Sequence, residues 1–477
     1  YRFVVTVKPT LNILYILIFG LHIVFLFASS FSFKMGSLNH RVRLVDNNFL
    51  RIVTPTSLYV FLELCQDNSK KLTLKNFTPK SLDEIYQELN TKDLDTYLSH
   101  KVRGVGKKEI SHVFYIVSES LSEYYFNKEF DSIGLMSGLK SLLKQENAYK
   151  MELFLQNASM TIKTLSTLMS GLIPFENISL PRSSFLQGKK TFITSIAPKM
   201  QELGFLTNLY YAGSSNWHNL GDFAKNQGFN HFYSYTSMID YAKKNYYPKP
   251  IETNYGLHDN ILFDYILDNT SSGLKSFNLI LSLSHHPTRN VNLKAFDVPT
   301  EKIERFFQNN KEQAQFFAHA YWYDKILSQF IQKARQKYPN ALFIITGDHF
   351  DRNFSYPSKY PLKEHSSVPL IILSPFKLYN LKKVASHIDI SPTIYELSAP
   401  YNFEYKSFGT PFYARSFFKQ PFDFALGDEV VANTCMVASD SLIEEFKNSC
   451  NKTNTSRALE KLNLIRALSF MLFEKTP

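Results

Sequence analysis

Short apolar runs that end abruptly in polar residues recur along this chain, and they predict its architecture. Residues 341–345 of the stretch ALFIITGDHF form such a run, as expected of a strand buried on both faces. It turns at Thr346-Gly347 and delivers Asp348 and His349. The pattern returns at 112–117 (HVFYIV), ahead of Ser118-Glu119-Ser120, and at 277–283 (FNLILSL), ahead of Ser284-His285-His286. Residues 148–155, 207–212 and 368–373 (VPLIIL, just after His365) read as further strands. Helical spacing predicts helices in the 161–170 region and roughly over 301–337 and 455–473. Strands alternating with helices argue for an α/β fold whose sheet is mainly parallel and covered on both faces.

One apolar stretch departs from this rhythm. Residues 11–33 contain no Asp, Glu, Lys or Arg over 23 positions, enough for a helix to span the roughly 30 Å hydrocarbon core of a bilayer. A transmembrane helix is the expectation; a signal peptide and a buried soluble helix are the other readings. Basic residues flank the stretch on both sides and leave its orientation open. The chain begins at Tyr1 rather than Met and so reads as a piece of a longer protein. The expected divisions are a membrane segment at 1–34, a helical connector at 35–108, a catalytic domain at 109–426 and a C-terminal extension at 427–477.

Composition narrows the classes. A hydrophobic share of 44% and a charged share of 20% over 477 residues are those of a globular chain with a large core. The formal charge of +11 suits an anionic membrane surface or anionic substrates. The lysines are scattered, so nucleic acid is not an expected partner. Three cysteines (Cys65, Cys435, Cys450) exclude a disulfide scaffold and a CxxC metal site; Cys435 and Cys450 either pair or stay free thiols. The glycines at 104 and 106, before Lys107-Lys108, lack the spacing of a phosphate-binding loop.

Polar groups at strand ends of a parallel sheet meet at one edge, so residues far apart in sequence can share a site. Glu119, His285 and the Asp348-His349 pair occupy such positions, although Glu119 also reads as an ordinary helix-start acid. In NASMTIKTLSTLMSGLIP, Gly171 stands where a helix would end, and Thr161 falls at its N-cap or first turn. There free N–H groups attract an anion. Thr161 is either a cap or a nucleophile, with Thr164 one turn on as its rival. A Thr hydroxyl needs a base or a metal to become a good nucleophile. Glu119, Thr161, Asp348 and His349 would offer one divalent ion four oxygen and nitrogen ligands, a set suited to zinc or manganese, with the ion also polarising a phosphoryl group.

With these residues the chain resembles the alkaline phosphatase/sulfatase superfamily, and within it the membrane-anchored lipoteichoic acid synthases and phosphoglycerol or phosphoethanolamine transferases. The resemblance covers roughly 112–397. It rests on VSES with Glu119, TIKTLSTLMSG with Thr161, SHHPTR with His285, TGDHF with Asp348 and His349, and SHIDISPTIYEL with Asp389. Thr161 precedes Gly171 by ten residues, the interval the superfamily uses between nucleophile and helix-ending glycine. The resemblance implies a three-layer α/β/α domain binding one divalent metal (manganese or zinc, with magnesium possible) through Glu119, Thr161, Asp348 and His349. It makes Thr161 the nucleophile, and gives His285 the role of binding the transferred phosphate or protonating the leaving group; His286 is its close neighbour. Trp217 resembles the aromatic that contacts glycerol phosphate in lipoteichoic acid synthases, but their nearby Arg is Asn219 here. His365 resembles a second substrate-binding His of phosphoethanolamine transferases. True sulfatases use a Cys or Ser converted to formylglycine, which a Thr cannot become.

The implied activity is transfer of a phospholipid head group through a phospho-threonine to a glycan, lipid A or polymer acceptor, with the catalytic domain outside a bacterial inner membrane. A phosphodiesterase or phosphatase using water is the alternative.

Overall fold

The computed structural model describes residues 73–476, leaving aside 105–108, 176–179, 181–190, 247–250, 287–289, 309, 353–357, 414–423 and 448–453. The expected membrane span at 11–33 lies outside these residues; among the described residues no helix is long and apolar enough to cross a membrane. Residues 74–477 form one compact unit.

The strands, in chain order, are β1 (Ser99–Lys101), β2 (His112–Ser118), β3 (Ala148–Lys150), β4 (Leu153–Leu155), β5 (Leu206–Tyr211), β6 (His231–Tyr233), β7 (Ser276–Leu281), β8 (Ala341–Gly347), β9 (Leu370–Leu373), β10 (Val384–Ser386) and β11 (Glu404–Lys406). Seven of them make the central sheet, in the order β3-β9-β8-β2-β7-β5-β6. Every residue of β2, β7, β8 and β9 is buried. A strand can be buried on alternate and intervening positions alike only if both faces of the sheet are covered, and this is why these segments read as unbroken apolar runs.

The sheet is mixed. β8, β2, β7, β5 and β6 run parallel, while β9 runs antiparallel to both β8 and β3. Strand direction leaves no trace in a fully apolar run, so the antiparallel edge was not legible beforehand. The stretch at 148–155 is two strands rather than one. It breaks at Met151-Glu152, where the Glu152 side chain sits exposed beside Lys383 and Lys447; β4 then leaves the central sheet to pair in parallel with β10. The helix expected over 301–337 is also two, Thr300–Phe306 and Lys311–Lys337. Gln308 takes a left-handed φ of 52°, and Asn310 restarts the chain by accepting the Gln313 N–H at 3.2 Å.

Within the connector, a helix at Leu82–Glu88 starts in a reciprocal Ser81/Glu84 capping box. A second helix, Leu94–Leu98, runs into β1, which pairs antiparallel with β11. Past residue 424 the chain forms an antiparallel meander of four short strands and the helix Thr455–Lys475. The meander packs Ala425, Val430, Ala432 and Val437 on Leu153, Leu155 and Val384. Cys435 is disulfide-bonded, and Cys450 lies outside the described residues. Asp389 is a local brace: its carboxylate accepts the Ser386 and Thr410 N–H groups at 3.1 and 2.8 Å.

One buried carboxylate ties the long helix to its neighbour. Asp324 accepts the Gly138 and Leu139 N–H groups at 2.7 and 2.9 Å, satisfying the first turn of the helix Ser137–Leu142. Burial pushes this carboxyl up to about 6, against the pull of those two N–H groups. Asp324→Ala leaves both donors without a partner, and we expect it to lower the unfolding free energy by about 2 kcal/mol, read as a reduced urea midpoint with unchanged slope.

Candidate active site

Register brings the chemistry together. Ser118, the last residue of β2, lies opposite Gly347, the last of β8, and Val117 lies opposite Leu281 at the end of β7. The three parallel strands therefore stop level, and the residues just past them (Glu119, Ser282 to His286, Asp348 and His349) share one edge. Gly347 is required there: a Cβ at this position would sit 2.0 Å from the Leu121 carbonyl oxygen. The two turns touch.

Glu119, Asp348 and His349 are all buried, and each offers a ligand atom within 4.8 Å of the others'. His349 Nε2 lies 3.3 Å from Asp348 Oδ2 and 3.9 Å from Glu119 Oε1. Its Nδ1–H donates to the Phe350 carbonyl at 2.7 Å, which leaves the Nε2 lone pair facing the cluster. Ser120 binds the two carboxylates to each other: its N–H donates to Asp348 Oδ1 at 2.7 Å and its hydroxyl to Glu119 Oε1 at 2.8 Å. To do so it adopts a left-handed φ of 54°, a strained conformation for Ser.

Thr161 joins them from another element. It is the first residue of the helix Thr161–Ser170, whose N-cap, Met160, has no capping side chain. Thr161 is therefore not the cap. Its Oγ1 lies 3.2 Å from Glu119 Oε2 and 3.3 Å from His349 Nε2, at a helix N-terminus suited to an anion. Gly171 ends this helix at φ 72°, with Thr194 packed so closely that no Cβ would fit. Thr164 is fully buried and donates to the Asp348 carbonyl at 2.9 Å, so its hydroxyl is occupied in holding the turn.

Two acids pressed together out of water demand a cation. Burial would raise Glu119, but the His286 ring beside it, with the Ser120 hydroxyl, outweighs this and holds the carboxyl below its usual range. Burial, then the neighbouring Glu119 charge, pushes Asp348 above its usual range. Asp348 Oδ2 is buried with no hydrogen-bond partner among the described residues. An orphaned carboxylate oxygen beside a second carboxylate, an imidazole nitrogen and a hydroxyl fits a divalent ion, and the all-oxygen-and-nitrogen set fits zinc or manganese better than thiolate-seeking metals.

The paired histidines part company. The expected contact of His285 with the phosphate is not supported by its position. It is 4% exposed, and its Nε2 is taken up by the Tyr125 hydroxyl at 3.1 Å and Asp351 Oδ2 at 3.2 Å. His286 instead turns its Nε2 to within 3.3 Å of Glu119 Oε2, its ring against Tyr255 at 4.7 Å. Adjacent residues on a turn face opposite ways, and sequence does not say which faces the cluster. Trp217 lies half-buried in a short turn past β5, packed on Tyr211 at 5.5 Å. His365 is exposed on the helix Pro361–Ser366, its ring 4.7 Å from Phe350, the residue after His349. Among the described residues, no hydrogen bond, ion pair or ring contact joins either to the Glu119–Asp348–His349 cluster.

Several supporting residues were not foreseen. Gln156 Oε1 accepts the Phe350 N–H at 2.6 Å. His387 takes the Asn157 N–H on Nδ1 at 3.3 Å and donates from Nε2 to the Gly347 carbonyl at 2.9 Å, and burial lowers it to about 4, so it stays neutral in this role. Their only sequence signal is position, Gln156-Asn157 just ahead of the Thr161 helix and His387 in SHIDISPT.

Comparison with known proteins bears on the fold and the family. No curated protein matches the sequence significantly. Among solved structures, the lipoteichoic acid synthase LtaP from Listeria monocytogenes superimposes with a TM-score of 0.62 at 15% identity, over 83% of this chain and 98% of that one. An alkaline phosphatase superfamily protein from Vibrio parahaemolyticus gives 0.57 at 18% identity, over 85% and 97%. At such identities the likeness is one of fold. The family model named Sulfatase matches residues 111–399, spanning β2, the Thr161 helix, β7, β8 and the Asp389 segment, and so this chain belongs to the sulfatase family, within the alkaline phosphatase superfamily.

Proposed function

We propose that this chain is a metal-dependent transferase that moves a phospholipid head group, phosphoglycerol or phosphoethanolamine, to an envelope glycan or lipid acceptor through a phospho-threonine on Thr161. The observation that carries this is the Thr161 hydroxyl standing 3.2 Å from Glu119 and 3.3 Å from His349 at the start of a helix. A fold shared with a protein named as a lipoteichoic acid synthase favours a lipid-derived donor, as does the apolar stretch at 11–33, which would hold the domain at the outer face of a bacterial inner membrane.

Glu119, Asp348, His349 and Thr161 would hold one divalent ion, which supplies charge for the Thr161 alkoxide and the phosphoryl oxygens. The chain's own groups do the rest. Free N–H groups of the first helical turn hold the phosphoryl group, and Thr161 Oγ1 attacks phosphorus as the bond to the diacylglycerol oxygen breaks. His286, on the open side of Glu119, is placed to give the departing oxygen its proton. An acceptor hydroxyl or amine then attacks the phospho-threonine and frees Thr161. His285, Tyr125 and Asp351 form the buried prop beneath this loop. Trp217 and His365 would contact the incoming head group or acceptor.

Thr161→Ala is expected to lower turnover by on the order of a thousandfold or more while leaving the unfolding midpoint unchanged. Mass spectrometry after exposure to phosphatidylglycerol or phosphatidylethanolamine should find the adduct on Thr161 and name the donor; transfer to water alone, with no dependence on a glycan acceptor, would make the enzyme a phosphodiesterase.

The site also sets a metal requirement. Extensive dialysis against a chelator should abolish activity, and manganese or zinc should restore it. Asp348→Asn, by neutralising one ligand, should cut the metal bound per chain by tenfold or more, measured by elemental analysis. Full metal content and activity in that variant would refute the assignment.

A further inference from the structure

Beside the helix Asp259–Asn269 lies a cavity of about 320 Å³, walled by that helix, the long helix Lys311–Lys337 and the segment around 291–296. None of the residues assigned above to metal or phosphoryl chemistry lines it. Its volume is at the small end for ligand sites, with room for one or two sugar rings.

The chemistry of its walls is selective. Phe330, buried and stacked on Phe263 at 4.8 Å, and Phe296, packed on Trp322 at 5.7 Å, present aromatic surface. Around them stand the side-chain amides of Asn260, Asn292 and Gln329, none engaged in a hydrogen bond among the described residues. Deeper in, His258 is 4% exposed, its Nδ1 is buried with no hydrogen-bond partner among the described residues, and burial lowers the imidazole to about 4, so it is neutral. The cavity's charged groups cancel: Asp264 takes the Tyr246 hydroxyl and faces Lys333 at 3.6 Å.

A neutral pocket with one already compensated lysine is a poor site for a phosphate. A hydrocarbon chain would strip water from the imidazole and three amides without replacing their hydrogen bonds. A sugar ring satisfies both surfaces, its C–H face on the aromatic rings and its hydroxyls on the amides and His258.

The cavity also adjoins the active loop. His258 precedes Asp259, whose carboxylate accepts the Leu283 and Ser284 N–H groups at 2.9 and 2.8 Å and so braces the segment leading to His285 and His286. Val291 and Asn292, on the far limb of that loop, form part of the cavity wall.

We propose that this cavity binds a neutral, hydroxylated sugar unit, as part of a glycan or as a glycolipid head group, on the acceptor side of the reaction; the acceptor role, though not the binding, rests on the transferase reading. The test is calorimetric titration of the Thr161→Ala chain with neutral di- to tetrasaccharides of glucose, galactose, rhamnose and N-acetylglucosamine. Inorganic phosphate and octanoate serve as competitors.

At least one saccharide should bind with millimolar affinity or better. Gln329→Ala and Phe296→Ala should each weaken it about tenfold with the unfolding midpoint unchanged; Asn292→Ala, on the exposed rim, replaces the latter if that variant fails to fold. Binding to vesicles carrying a monoglucosyl diacylglycerol, compared with free saccharide, separates the two sources. Absence of any saccharide binding, indifference to these variants, or displacement by octanoate or phosphate would overturn the proposal. Saccharide binding without head-group transfer in the unmodified chain would instead count against the transferase reading alone.

Discussion

Two carboxylates buried side by side are the feature on which the rest of the site depends. Glu119 and Asp348 stand at the ends of adjacent parallel strands, both almost wholly out of water. Unscreened, their repulsion would open the site or protonate one of them; burial and the Glu119 charge hold Asp348 above its usual range, while His286 draws Glu119 below its own. Ser120 shares its N–H and hydroxyl between them, and His349 and His286 face them, but Asp348 Oδ2 is left without a hydrogen-bond partner among the described residues. A divalent ion would resolve what the protein groups leave unresolved.

Such a cluster is held only if its turns cannot relax. The Asp348 N–H donates to the Ser118 carbonyl at 3.1 Å, and the Thr164 hydroxyl and His387 anchor the Asp348 and Gly347 carbonyls. Gln156 fixes Phe350, and Ser122 fixes Asp351. These bonds come from β2, the Thr161 helix and the segment after β10, so the geometry of the cluster is over-determined from several directions. This is what allows a left-handed Ser120 to persist.

The same logic extends to the neighbouring loop. Asp259 and the Tyr125–Asp351–His285 contacts support the turn from beneath, freeing His286 to face Glu119. The cavity beside His258 shares this loop as a wall, so a ligand seated there would lie against the segment that carries His286. On the proposed reading, donor chemistry and acceptor recognition would be two sides of one turn.

Residue order alone established much of this. Unbroken apolar runs ending in Glu119, His285-His286 and Asp348-His349 announced a buried sheet with polar strand ends, because a strand covered on both faces must be apolar throughout. The helix from Thr161 to the glycine at 171 was equally legible, since glycine is the residue that tolerates the left-handed stop. Tertiary structure decided the remainder. Apolar runs carry no direction, so the antiparallel β9 and the departure of β4 to pair with β10 had to come from packing. The facing of His285 and His286 depends on which partner each meets across the turn, Asp351 for the first and Glu119 for the second, residues 66 positions later and 167 earlier. The bracing by Ser120, Gln156 and His387, and the sugar-sized cavity, exist only once distant segments are brought together, because isolated polar residues bear no mark of the donor or acceptor they will meet.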